Sequence, residues 1–350
     1  MRTSIENLVR ANIRNLTPYR SARQDYGTGI LLDANENSFG SVLSFDGIAL
    51  NRYPDPSQIL LREALANLNM MPSDRIFAGV GSDEIIDLLI RIFCHPEKDS
   101  VLIIEPTYGM YRVSASVNGV HVLSSLLNSE FQIDREDVLL KAPGAKLIFC
   151  CSPNNPTGNL LHAADILALC AQTDALVIVD EAYIDFAQAS SLAASTHKFS
   201  NLIVLRTLSK AWGLAAIRLG YCIADPVVIG YLMKIKPPYN INALTNQLAL
   251  QALEQHRLMT ETVQALLLER GRLVQGLEAI PFVRQVFPSD SNFVLIRCTD
   301  AQVVREHLAS KGIIVRDRSS EPRLENCLRI TVGTAVQNEA LLRALAEVAL

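Results

Sequence analysis

With 350 residues and 49% hydrophobic content, the chain can enclose a large core, and at about 150 residues per domain two units are expected. Its 32 basic and 36 acidic residues give a net charge of −4; no basic run could track a phosphate backbone, which argues against a nucleic-acid partner. The seven cysteines, Cys94, Cys150, Cys151, Cys170, Cys222, Cys298 and Cys327, lie mostly in apolar runs and form no C-x-x-C pair. They read as reduced core residues of a cytoplasmic protein, with neither a zinc nor a redox site.

In chain order, MRTSIENLVRANIRNL carries Glu6 and several Asn and Arg where a signal peptide needs an unbroken apolar stretch. The spacing of Ile5, Leu8, Val9 and Ile13 predicts a short amphipathic helix instead. No run approaches 18 apolar residues, so a membrane partner is not expected. From about residue 75 to 225 the runs VLIIE, KLIFCC, ALVIVD and NLIVLR alternate with helical patterns, which predicts an α/β unit whose mostly parallel sheet is covered by helices. Pro237 and Pro238 punctuate the chain. A long helical pattern then runs from about Ala243 towards Ile280, where Pro281 closes it. Beyond it, SNFVLIRC, the helical AQVVREHLASKG, IIVRD and CLRITVG predict a smaller α+β unit. The expected division is an N-terminal arm over 1–30, a large domain over 31–245, and a small domain over 246–350 that includes the long interdomain helix.

Ligands of open α/β sheets collect beyond the carboxyl ends of the strands, and four polar segments fall there. GVGSDE, with Gly81, Ser82 and Asp83, opens a helix and can present amides to an anion or form an ordinary strand-to-helix turn. Glu84 stands where the third glycine of a dinucleotide fingerprint belongs, which counts against a nicotinamide cofactor. In SPNNPTG, Asn155 precedes Pro156 and is biased to extended backbone, as in a surface turn. Asp180 closes the apolar ALVIVD, where a carboxylate is costly unless a cation or donors meet it; a helix N-cap is the other reading. Lys210 sits among small and apolar neighbours, so it either snorkels to water or is held with a lowered pKa as a nucleophile. An anion cradle, a carboxylate and an amine together are what pyridoxal phosphate requires.

With these motifs the chain resembles the class II pyridoxal-phosphate-dependent aminotransferases of fold type I. LTPYRSAR (16–23), LDANEN (32–37), NRYPDP (51–56), GVGSDE (79–84), PTYGMY (106–111), SPNNPTG (152–158), VDEAYIDF (179–186), TLSKAWGLAAIRLGY (207–221), GIIVRD (312–317) and LRITVGT (328–334) carry the resemblance. It implies a mostly parallel central sheet sandwiched by helices in a large cofactor-binding domain, with a smaller α+β C-terminal domain. It also implies pyridoxal 5'-phosphate as cofactor, with Lys210 holding its aldehyde and Asp180 paired with its ring nitrogen. Asn155 and Tyr183 would bond the ring oxygen, and Tyr108 would stack on the ring. Gly81, Ser82, Asp83, Ser209 and Arg218 would surround the phosphate, joined by Tyr53 from the second subunit of a homodimer. LTPYRSAR, DANEN, NRYPDP and the pairing of GIIVRD with LRITVG resemble the histidinol-phosphate group in particular. That implies Tyr19, Asn35, Arg316 and Arg329 on the substrate, and histidinol phosphate with glutamate or 2-oxoglutarate as the substrates. An aromatic aminotransferase, a phosphothreonine decarboxylase of the same fold, and a cofactor-binding regulator are the competing readings. Ser38 stands where relatives often have proline, Trp212 where phenylalanine is common, and Ala216 where glycine is common.

Overall fold

The computed structural model describes residues 4–19, 21, 30 and 32–348. Most of the second half of the expected arm, including Arg20, Ala22 and Arg23 of LTPYRSAR, lies outside the described residues.

The four apolar runs form the centre of a seven-stranded sheet. Its strands are β1 (Ile76–Val80), β2 (Ser100–Glu105), β3 (His121–Leu126), β4 (Leu147–Cys151), β5 (Leu176–Asp180), β6 (Leu202–Thr207) and β7 (Leu219–Ile223), in the order β1-β7-β6-β5-β4-β2-β3. Only β7 runs antiparallel to its neighbours. The central strands are apolar throughout because both faces are covered. Leu102, Ile148, Val177, Val179 and Val204 share a core with Leu61, Leu65, Ile166 and Leu169. On the opposite face Ile103, Phe149, Ile178, Ile203 and Leu205 pack with Ile85, Ile86 and Leu89 of the helix Gly81–Phe93 and with Leu232.

A second sheet is antiparallel throughout, in the order β10-β11-β9-β8, from β8 (Val283–Val286), β9 (Phe293–Cys298), β10 (Arg316–Asp317) and β11 (Cys327–Thr331). Val294, Ile296, Leu328 and Ile330 bury one face against Leu273, Leu277, Val304, Leu308, Leu341 and Leu345. Tyr183, Phe186 and Ala211 from the carboxyl edge of the large sheet meet Val263 and Phe293, so the two cores touch beside the polar segments.

Three expectations change in detail. The single helix expected from Ala243 to Ile280 is two helices, Ala243–Leu253 and His256–Glu278, because Gln255 at φ −95°, ψ 30° leaves helical geometry. The N-terminal helix is likewise split into Ile5–Leu8 and Ala11–Arg14. Val9 and Arg10 are extended there, which buries Val9 and lets the Arg10 amide donate to Ile92 O at 3.0 Å. IIVRD contributes only Arg316 and Asp317 to the sheet.

Candidate active site

The carboxyl ends of β4, β5 and β6 lie level, with Cys151 opposite Asp180 and Asp180 opposite Leu205. β1 reaches the same edge through β7, where Val80 pairs with Leu219 and Thr207 with Gly220. One cavity of about 140 Å³ opens at this edge, and its walls include Gly81, Ser82, Asp83, Tyr108, Asn155, Asp180, Tyr183, Ser209, Lys210 and Arg218. A larger cleft of about 720 Å³, near Lys98, Lys146 and Ala175 at the amino ends of the strands, contains none of these residues.

The cradle depends on two close approaches. Gly81 has φ +72°, and a Cβ there would lie 2.6 Å from Arg218 Nη2. At Gly220 a Cβ would come within 2.3 Å of the Ser82 nitrogen. The Gly81 amide donates to Arg218 O at 2.7 Å, so the helix start and the Arg218 turn are joined directly. Glu84, which breaks the dinucleotide fingerprint, locks this turn: Oε2 accepts from Val80 N–H at 2.6 Å and from Asn240 Nδ2 at 3.0 Å. The Asp83 carboxylate accepts from Tyr108 O–H at 3.2 Å and lies 3.7 Å from Arg218 Nη2. Thr207 Oγ1 accepts from Ser209 N–H at 3.1 Å and fixes the loop that leads to Lys210.

Asp180 is 3% exposed. Burial pushes its carboxyl above the usual range, while the Tyr111 hydroxyl, donating at 2.8 Å to Oδ2, and the Ala182 amide, donating at 3.1 Å to Oδ1, oppose that rise. The adjacent Glu181 faces scaffold instead, accepting from Ser191 O–H at 2.5 Å and Leu192 N–H at 2.7 Å. Lys210 is exposed only in that its side chain stands in the open cavity, with Nζ 5.3 Å from the centroid of the Tyr183 ring. Desolvation by the cavity walls lowers its pKa, and the neighbouring Arg329 adds to the effect. Burial raises the Tyr183 phenol. Trp212 stands edge-on to His256 with centroids 5.9 Å apart, tying the Lys210 loop to the start of the long helix.

Asn155, 4% exposed, accepts from Arg329 Nη1 at 2.5 Å through Oδ1. The Arg329 guanidinium lies 5.3 Å from the Phe293 ring centroid, and desolvation lowers its pKa. Arg316 is its cross-strand partner, so the two side chains share one face of the small sheet, and Arg329 reaches the cavity wall through Asn155.

The remaining predicted residues stand apart from this cavity. Tyr53 is half exposed and stacks on Tyr239 with centroids 4.5 Å apart. Tyr19 is exposed beside Lys234, Lys236 and Pro238. Asn35 is exposed at φ +55°, next to Glu36, whose carboxylate accepts from the Tyr53 amide at 2.7 Å. The sequence reading did not single out Tyr111 or Thr207, and it placed Cys151 only among the core cysteines. Tyr111 follows Tyr108 by three residues in PTYGMY, but nothing local marks its hydroxyl, or Thr207, as part of the site. The buried Cys151 thiol is pushed up to about 12, which makes it an inert part of the wall.

This donor set fits pyridoxal 5'-phosphate. The buried carboxylate has room for a further donor such as a ring N–H, the lysine stands in the same cavity, and the glycines leave amide-lined space that a Cβ would fill. Fold and site thus define a cofactor-dependent enzyme that acts on amines. Residues 29–345 match the family described as aminotransferase class I and II, and the chain belongs to that pyridoxal-phosphate-dependent family. It is 45% identical to the histidinol-phosphate aminotransferase of Cytophaga hutchinsonii over 348 residues, 99% of each chain. Among solved structures it is similar to the histidinol-phosphate aminotransferase of Clostridium acetobutylicum, with a TM-score of 0.79 and 28% identity over 85% of this chain and 90% of that one. The enzyme of Sinorhizobium meliloti, solved in complex with pyridoxal-5'-phosphate, has a TM-score of 0.78 and 25% identity over 85% and 82% of the two chains.

Proposed function

We propose that the protein transfers an amino group between L-histidinol phosphate and 2-oxoglutarate, giving imidazole acetol phosphate and L-glutamate, a step of L-histidine biosynthesis. The observation that carries this reading is the cross-strand pair Arg316 and Arg329, whose Arg329 bonds Asn155 in the wall of the Lys210 cavity. Two guanidiniums on one sheet face suit a dianionic phosphate, and Arg329 alone suits the carboxylate of glutamate.

Bound in the cavity, pyridoxal 5'-phosphate supplies a carbonyl that joins an amine and a protonated ring that draws electrons from the bond being broken. Lys210 would hold the cofactor at rest. During turnover its amine takes the proton from the substrate carbon that bears nitrogen, a task helped by the lowered pKa. Asp180 would face the ring nitrogen and keep its proton in place. Asn155 and Tyr183 would orient the ring oxygen, and Tyr108 would cover the ring face. The Ser82 and Asp83 amides, with Gly81, Ser209 and Arg218, would hold the phosphate. Tyr19 and Asn35 complete the substrate end.

We further propose a homodimer in which Tyr53 reaches the cofactor phosphate of the second subunit. That Tyr53 does not line its own cavity supports this, as do Phe39, Val42, Leu43 and Leu60, all largely exposed on the same stretch of chain. The two sheets with separate cores support the division into an arm over 1–30, a cofactor-binding domain over 31–245 and a small domain over 246–350. Seven free, buried cysteines favour a cytoplasmic setting. Among the described residues no helix is long and apolar enough to cross a membrane.

A panel of histidinol phosphate, phenylalanine and phosphothreonine, each with 2-oxoglutarate, tests the substrate. The expected result is glutamate formed fastest from histidinol phosphate. Preferred turnover of phenylalanine, or carbon dioxide released from phosphothreonine, overturns the assignment.

A further inference from the structure

Tyr111 lies in the helix Met110–Val117 and is fully buried. Its ring stacks on Phe149 of β4 with centroids 4.8 Å apart and planes 11° apart, and meets the Tyr108 ring edge-on at 5.5 Å. Two aromatic contacts at right angles leave the phenol little freedom to swing. Its hydroxyl donates to Asp180 Oδ2 at 2.8 Å, while the Ala182 amide holds Oδ1 at 3.1 Å. The carboxylate is therefore gripped at both oxygens, by donors from two different elements. With Asp180 only 3% exposed and Tyr111 at 0%, bulk water does not replace the phenol hydroxyl if it is removed.

We infer that Tyr111 is a positioning residue: through its hydrogen bond to Oδ2 it fixes the rotation and the negative charge of Asp180 for the ring nitrogen of the cofactor. This rests on the reading that Asp180 faces that nitrogen. Desolvation is the largest influence on the Asp180 carboxyl and favours its neutral form, and the Tyr111 hydroxyl is the largest influence that opposes it. Without the hydroxyl, Asp180 both rotates more freely and binds a proton more readily. A neutral, loosely held acid is a poor partner for a ring N–H.

The test is a double-mutant cycle with Tyr111→Phe, Asp180→Asn and both together, read in two ways without turnover. One readout is the dissociation constant of pyridoxal 5'-phosphate from the apoenzyme, followed by the fluorescence of Trp212, the single tryptophan, two residues from Lys210. The other is the ring-nitrogen resonance of ¹⁵N-labelled cofactor, which reports protonation and which a purely structural role does not move. Tyr111→Phe is expected to weaken cofactor binding roughly tenfold to a hundredfold and to shift the resonance towards the unprotonated position. In the Asp180→Asn background the same change is expected to cost less than about threefold, because the interaction it removes is already lost. An unchanged resonance in Tyr111→Phe, or an undiminished loss in the Asp180→Asn background, overturns the inference while leaving Asp180 in its role. If Asp180→Asn alone binds the cofactor normally with an unshifted resonance, the reading of Asp180 fails, and the inference with it.

Discussion

Gly220→Ala perturbs the proposed phosphate cradle without touching a polar side chain. Gly220 lies in β7 without a positive φ, so alanine is acceptable to its backbone, and the cost is steric. The new Cβ meets the Ser82 nitrogen at 2.3 Å and the Gly81 carbonyl carbon at 2.5 Å. Both are backbone atoms at the start of the helix Gly81–Phe93, whose Ile85, Ile86 and Leu89 are locked into the core, so no side-chain rotation relieves the clash. Overpacking of this kind costs about 1–3 kcal/mol. Moving the Ser82 amide would also remove or lengthen its proposed charge-assisted hydrogen bond to the cofactor phosphate, worth about 1.5–3 kcal/mol, or roughly tenfold to a hundredfold in affinity. Urea unfolding of the apoprotein measures the first effect, and titration with pyridoxal 5'-phosphate the second. Gly230→Ala is the control: Gly230 is inside the helix Pro226–Ile235 with nothing within 4 Å of an added methyl group, so the change is expected to stabilise by up to about 1 kcal/mol without altering cofactor affinity. Parent-like stability and cofactor affinity in Gly220→Ala would refute the close approach.

The ammonium of Lys210 has its pKa lowered from 10.5 in the folded apoprotein, so the unfolded chain binds more protons in the window just below 10.5. Apoprotein stability therefore gains from Lys210 as pH rises through that window; Lys210→Met is expected to be the more stable form at neutral pH, with the gap in urea midpoint closing towards pH 10.5. A gap that widens as pH rises contradicts the desolvated ammonium. Arg329→Ala should raise the KM for histidinol phosphate about tenfold or more, while Arg316→Ala should penalise histidinol phosphate far more than unphosphorylated histidinol; equal penalties remove Arg316 from the phosphate. Mixing inactive Lys210→Ala with inactive Tyr53→Ala subunits should restore up to about a quarter of parental activity, because a random hybrid carries one intact site; no recovery on mixing argues against a Tyr53 shared across subunits.

The parallel core was legible because strands buried on both faces must be apolar throughout: VLIIE, KLIFCC, ALVIVD and NLIVLR became β2, β4, β5 and β6. Asp180, Lys210 and the turn at residues 81–83 were legible for the complementary reason, since they close an apolar run or open the segment after it, whereas the roles of Tyr108, Asn155 and Tyr183 came only with the family resemblance. Residues placed by pairing register were not: neither IIVRD nor CLRITVG reveals that Arg316 lies opposite Arg329. Long-range side-chain bonds were equally hidden. Nothing local distinguishes the phenol of Tyr111, which reaches Asp180 across 69 residues, from any other core tyrosine. Glu84 was read by what it excluded, yet its carboxylate closes the turn that forms the cradle. The two helix breaks, at Val9 and Gln255, follow from tertiary packing and local geometry that apolar spacing does not encode.

Borohydride reduction of the enzyme loaded with pyridoxal 5'-phosphate, followed by peptide mass mapping, tests directly whether Lys210 carries the chemistry. One phosphopyridoxyl group per chain on the peptide containing Lys210 is the expected result, with prior addition of histidinol phosphate preventing the label. A label on another lysine, such as the buried Lys236, or labelling that histidinol phosphate leaves unchanged, would contradict the assignment.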